Sequence, residues 1–169
     1  MVAAQHDQQV EMEASSTAEQ QPLFDVLVKF LEEDGWVYKE IEHRQVLALG
    51  IEGNNGRFDC YAVAREVEQQ VTIYSVFPVR VPDHKRPTIS TFLMMVNYGI
   101  IIGNFELNFY DGEIRYKTSL DVEGDRLTSA LTQHLIYINV TTMDKFLPGI
   151  MSVIYGSLSA EEAISRIDP

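Results

Sequence analysis

Residues 103–118 constrain the fold more than any other stretch of the chain. Phe105, Leu107 and Phe109 alternate with Asn104, Glu106 and Asn108, and Ile114, Tyr116 and Thr118 resume the alternation beyond Asp111-Gly112. Period-two alternation marks a half-buried strand, and Asp-Gly is a favoured two-residue hairpin turn because both central positions need positive φ. Such a turn pairs Phe109 with Ile114, Leu107 with Tyr116 and Phe105 with Thr118. On the opposite face it sets Glu106 against Lys117 and Asn108 against Arg115. Apolar residues then share one face and opposite charges the other, a register that supports itself.

The segments around this hairpin predict an α+β fold. Pro22 opens a first helix with an apolar stripe of Leu23, Phe24, Leu27, Phe30 and Leu31, with Asp25 and Lys29 paired on its outer face and Gly35 as its stop. Strand-rich sequence follows at 36–42, 47–51, 57–65 and 71–77. A turn signal at Gly53-Asn54-Asn55-Gly56 and a polar break at 66–70 punctuate it. A second helix begins at Pro87-Thr88. Its stripe is Ile89, Phe92, Leu93, Val96 and Ile100, but Met94, Met95, Tyr98 and Ile101 are apolar on other faces. A helix that is apolar all round is covered on more than one side, by its own domain or by a partner. Residues 127–155 read as a long helix with a kink or break expected at Pro148 and a stop at Gly156. Ser159-Ala160-Glu161-Glu162 reads as a capping box opening a last short helix. The sum is an antiparallel sheet of five or six strands packed against helices, in one domain over 22–169.

Composition narrows the role. With 13 basic and 25 acidic residues among 169, the formal charge is −12, which argues against nucleic acid and anionic membrane surfaces as partners. Residues 1–21 carry Asp7, Glu11, Glu13 and Glu19, no Lys or Arg, and few large apolar groups, so a flexible acidic tail without secretory character is expected. No apolar run reaches the length of a membrane span, and the single Cys60 excludes an internal disulfide framework, which fits a cytoplasmic setting. Asn139-Val140-Thr141 matches a glycosylation acceptor but lies within the long helix.

Little in the chain points to catalysis. His6, His43, His84 and His134 are scattered from one another and from Cys60, so no metal site or cofactor is expected. Cys60 shares a strand face with Phe58, Ala62 and Ala64, the setting of an inert core thiol. Gly50, Gly53 and Gly56 lie between strands with no helix to complete a phosphate cradle. The acid pairs Glu32-Glu33 and Glu161-Glu162 sit on solvated helix ends. One local contrast is Arg80, His84, Lys85 and Arg86, a basic loop that is either an anion or partner contact or a plain offset to the surrounding acidity.

Asn97-Tyr98-Gly99, Gly103-Asn104-Phe105-Glu106-Leu107 and 111–118 resemble the YbjN-like family, as do Lys85-Arg86-Pro87 upstream and 156–163 near the end. The resemblance implies a fold like that of type III secretion chaperones, dimers that hold extended client segments, and a role of the kind called sensory transduction regulation. It brings no reaction and no cofactor. The expectation is a non-enzymatic, chaperone-like protein-binding or regulatory module, a homodimer with an unknown protein client. Phe92, Met95 and Tyr98 are the expected partner contacts, because flexible Met and aromatic side chains suit adaptable surfaces. A small-anion sensor using the Arg80–Arg86 loop, and an enzyme with a cryptic site of Arg, Tyr and carboxylates, are the alternatives.

Overall fold

The structure, a computed structural model, describes residues 21–167. The tail expected over 1–21 lies outside the described residues except for Gln21. Helix α1 (Leu23–Glu33) buries Leu23, Val26, Leu27, Phe30 and Leu31. The first backbone N–H groups of a helix have no partner within it, and the Glu66 carboxylate supplies one here, accepting from Leu23 at 3.0 Å and Phe24 at 2.8 Å. On the outer face Lys29 pairs with Glu33, at 3.9 Å, and not with Asp25 as expected. The Trp36 N–H returns to the Leu31 carbonyl and closes the helix.

Six strands form one antiparallel sheet: β1 (Tyr38–Glu40), β2 (Val46–Glu52), β3 (Arg57–Arg65), β4 (Gln70–Val76), β5 (Asn104–Leu107) and β6 (Ile114–Asp121), in the spatial order β1-β2-β3-β4-β6-β5. Between β4 and β5 runs helix α2 (Arg86–Gly99), and after β6 come α3 (Ser129–Tyr155) and α4 (Ala160–Ser165). Alternation sends Leu47, Leu49, Phe58, Cys60, Ala62, Ile73, Ile114 and Tyr116 into the core beneath the helices. Asn139 anchors α3 there. Its amide donates to the Ile73 carbonyl (3.0 Å), the Tyr116 carbonyl (3.2 Å) and Thr118 Oγ1 (3.1 Å), all fully enclosed. The capping box at Ser159 and Glu162 forms as expected.

Two expectations are corrected. The hairpin register differs by two residues: Leu107 faces Ile114, Phe105 faces Tyr116 and Glu106 faces Arg115. The connection is a six-residue loop, 108–113, closed by Asn108 N–H to the Glu113 carbonyl and Gly112 N–H to the Asn108 carbonyl, both 2.8 Å. Asp111 is not at positive φ, so the two-residue turn does not form. Instead the Asn108 and Asp111 side chains accept from the N–H groups of Tyr110 and Glu113 and build local turns. A slip of two keeps every side chain on its face, so Phe105 and Leu107 still point inward, whereas Phe109 is turned out and 57% exposed.

Helix α3 also continues through Pro148, so the break allowed for there does not form. Proline lacks the N–H that would reach the carbonyl of Asp144. The Asn55 side-chain amide takes that place, donating to the Asp144 carbonyl at 3.1 Å. The Asp144 carboxylate in turn accepts from the N–H groups of Asn54 (3.1 Å) and Asn55 (2.9 Å). The turn at 53–56 therefore docks on the proline gap. Gly53 permits the approach, since a Cβ there would lie 2.2 Å from Asp144 Oδ1. Asn55→Ala is expected to cost about 1 kcal/mol in urea denaturation. In a Pro148→Ala background, where a new amide can serve the Asp144 carbonyl, the same change should cost less, and the double-mutant cycle measures the difference.

Candidate partner-binding face

Helix α2 divides its apolar residues between two environments. Ile89, Phe92, Leu93 and Val96 are buried against the core. Phe92 is wholly enclosed, and its ring lies where a Cβ on Gly149 would stand 3.1 Å away. The expectation that Phe92 contacts a partner is thus corrected: the side chain belongs to the intramolecular stripe. Met95 is 39% and Tyr98 96% exposed, and with them stand Met94 at 71%, Ile101 at 97% and Ile102 at 52%.

This ridge is held out by the elements beneath it. Asn97 sends its side-chain Oδ1 to the Phe105 N–H (2.8 Å) and its Nδ2 to the Phe105 carbonyl (3.0 Å). One amide so fills both outward backbone groups of Phe105 on edge strand β5, as a neighbouring strand would. The Tyr116 hydroxyl donates to the Ile102 carbonyl. Residues 100–103 are thereby fixed with Ile101 and Ile102 facing solvent.

Two open grooves meet at Ile102 and Ile138. One, of about 640 Å³, has Ile102, Leu120, Leu131, Leu135, Tyr137 and Ile138 among its walls. The other, of about 500 Å³, runs past Met95, Ile100, Phe146 and Ile167. Residues 87–105 and 127–143 contain no Asp, Glu, Lys or Arg in a chain that is 22% charged, and the fold brings these two stretches to one face. Leu131 and Ile138 were legible only as part of α3's apolar face, and Tyr137 was not singled out in the sequence. The paired charge-free runs were the signal that part of that face stays uncovered. Tyr137 closes one wall: its hydroxyl donates to Asp34 Oδ2 at 2.7 Å and its ring meets Trp36 edge-on at 5.6 Å between centroids.

The basic loop is spent inside the molecule. Arg80 bonds Glu113 at 2.5 Å and lies 3.6 Å from Asp111, and the Glu113 hydrogen bond pushes its pKa upward. Lys85 donates to the carbonyls of Val153 (3.0 Å) and Gly156 (3.1 Å) at the end of α3. Arg86 donates to the carbonyls of Val81 and Phe109 and pairs with Asp83. His84 is exposed nearby. The four residues are neighbours, but the three longer cations serve loop and helix ends.

Elsewhere, the Cys60 thiol is enclosed and desolvation pushes its pKa to about 12, so it is not a thiolate at neutral pH. Among the described residues no group of three His, Cys, Asp or Glu side chains could hold a metal ion, and no helix is long and apolar enough to cross a membrane. On the sheet's outer face Glu106 binds both Lys117 and Arg115. Burial alone would raise its pKa, but these two hydrogen bonds outweigh it and hold the carboxyl below its usual range.

Among the described residues, a six-stranded antiparallel sheet under four helices makes the type III secretion chaperone-like α+β fold. The chain belongs to the YbjN family, described as "Putative bacterial sensory transduction regulator", which it matches over residues 23–151. In three dimensions it is similar to the crystal structure of "YbjN, a putative transcription regulator from E. coli", with TM-score 0.58 and 16% identity over 79% of this chain and 89% of that one. It is also similar to the ExsC-ExsE complex, with TM-score 0.52 and 8% identity over 75% and 91% of the two chains. The HopA1-SchA chaperone-effector complex gives TM-score 0.49 and 13% identity over 75% and 94%. No curated protein matches the chain.

Asn97→Ala should lower stability by about 2 kcal/mol, two hydrogen bonds being lost together, and amide exchange at Phe105 should accelerate more than at the centre of β4. Glu106→Gln tests the second network. A depressed carboxyl pKa contributes stability that is present above the unfolded value of about 4.3 and disappears as pH falls through the folded one. The stability gap between the parent protein and Glu106→Gln should therefore be constant near neutrality and close on acidification below about pH 4.

Proposed function

We propose that this protein is a non-enzymatic, chaperone-like binding module that acts in the cytoplasm as a homodimer and holds a protein client. The observation that carries the reading is the apolar, carboxylate-free face itself, where Lys145 in the second groove is the charged lining group. Two charge-free stretches converge there and leave Tyr98 and Ile101 more than nine-tenths exposed. Aliphatic and aromatic side chains so placed gain about 25 cal/mol for each Å² removed from water, and exposed apolar patches of this kind mark interaction sites. The carboxylate-free centre matters for self-association in particular: two copies carrying −12 each repel, and a surface without Asp or Glu lets them meet without burying unpaired carboxylates. Met94, Met95 and Tyr98 supply the α2 part of the contact, and their side chains adapt to more than one shape of partner.

The ExsC structure contains a second protein, ExsE, and supports a protein as the partner of this fold. A buried, protonated lone cysteine suits a reducing compartment. The small-anion alternative has weaker support, because Arg80, Lys85 and Arg86 already have partners within the chain.

Light scattering on the purified chain at micromolar concentration should give the mass of two copies. The paired change Tyr98→Glu with Ile101→Glu adds charge to exposed positions, so it should leave the circular dichroism spectrum unchanged and yield the mass of one copy. A single-copy mass for the parent protein sinks the dimer.

A further inference from the structure

The larger groove has acidic flanks. Its floor is aliphatic: Leu120, Leu131, Leu135, Ile138 and Ile102. On one side Tyr137 is hydrogen-bonded to Asp34, which follows Glu32 and Glu33 at the end of α1, three carboxylates against the single Lys29 that pairs with Glu33. On the other, Leu120 leads directly into the turn bearing Asp121, Glu123 and Asp125, which Arg126 follows, while Arg65 and Lys117 share a neighbouring cavity with Leu120 and Asp121. That turn is built rather than loose: the Asp121 carboxylate accepts from the Glu123 N–H at 3.0 Å, and the Val122 carbonyl from the Asp125 N–H at 3.0 Å. Within the groove the ionisable lining groups are His134 and Tyr137.

We infer that this groove takes a basic amphipathic segment of the client, with aliphatic side chains on the floor and Lys or Arg reaching the two acidic flanks. The inference rests on the binding-module reading and names the chemistry of its partner. Charge selects among apolar segments here. The floor attracts any aliphatic side chain with no preference for what flanks it, whereas the acidic clusters attract cations and repel the many acidic segments of an ordinary proteome. The same arrangement disfavours a second copy in this groove, since that copy would bring a further −12 to the same acids. The ridge of α2 and the groove of α3 thereby divide the two kinds of partner between them.

Three synthetic helical peptides of about 14 residues test this, with one shared Leu/Ile stripe and a polar face of Lys, Gln or Glu. Binding to the full chain is followed by fluorescence anisotropy at low and high salt. The Lys peptide is expected to bind at least about tenfold tighter than the Glu peptide, with the Gln peptide between, and salt should narrow the spread. Combining Asp121→Asn, Glu123→Gln and Asp125→Asn should erase most of the Lys preference and leave Gln-peptide binding unchanged. Leu131→Asp, at a position 41% exposed and thus tolerant of folding, should weaken all three peptides, as should Ile138→Asp. Equal binding of the three peptides, lost on Leu131→Asp, overturns the basic partner and leaves the groove as a binding site. Lys-peptide binding that ignores Leu131→Asp, or no binding of any peptide, overturns the groove reading itself.

Discussion

Asn139 is the contact on which the arrangement turns. A helix can slide along a sheet with little change in apolar contact, because hydrophobic burial has no direction. The buried amide removes that freedom. It donates to carbonyls of β4 and β6 at once and to the Thr118 hydroxyl on β6, so α3 has one rotation and one depth over the sheet. Thr118 completes the tie by donating to the Leu135 carbonyl one turn earlier. With α3 fixed, Asp144 falls on the turn at 53–56, and Leu131, Leu135 and Ile138 form a groove floor at a set distance from Ile102.

The sequence showed most of the architecture because its signals there are local. Strand alternation, the Gly53–Gly56 turn, the stop after α1 and the Ser159 capping box all act within a few residues, and each forms. The failures share a cause. The hairpin register, the passage of α3 through Pro148 and the burial of Phe92 were settled by distant partners. Val81 donates to the Gly112 carbonyl and holds the 108–113 loop, Asn55 fills the proline gap from 89 residues away, and Gly149 makes room for the Phe92 ring. Local propensity does not encode such contacts.

The binding face was half legible for the same reason. That α2 is apolar all round follows from its sequence, but which side the domain itself covers depends on α3 and β5. Met95 and Tyr98 came out exposed and Phe92 did not. The quoted family motif has an architectural meaning in the structure: Asn97 clamps Phe105, and Tyr116 secures Ile102. Tyr98, next to Asn97 in the chain, is the large apolar residue of that motif left outward, 96% exposed.

How the sheet ends bears on how a partner can be held. An open edge strand offers unpaired N–H and C=O groups to any extended chain. On β5 the outward pair of Phe105 is occupied by Asn97, and β1, at the other edge, is three residues long with Lys39 and Glu40 exposed on it. Together with residues 118–121 of β6, which extend past the pairing with β5, the stretches open to backbone pairing are short. Side chains are left as the principal currency of association, and they read shape and charge, which backbone groups do not. In the proposed binding role, a face with a carboxylate-free centre and acidic margins discriminates by both, and that role depends on keeping the 100–103 loop and α3 at fixed spacing. The two short hydrogen-bond systems that set this spacing, Asn97 with Phe105 and Asn139 with the sheet, are therefore as much a part of the proposed recognition as the side chains exposed on that face.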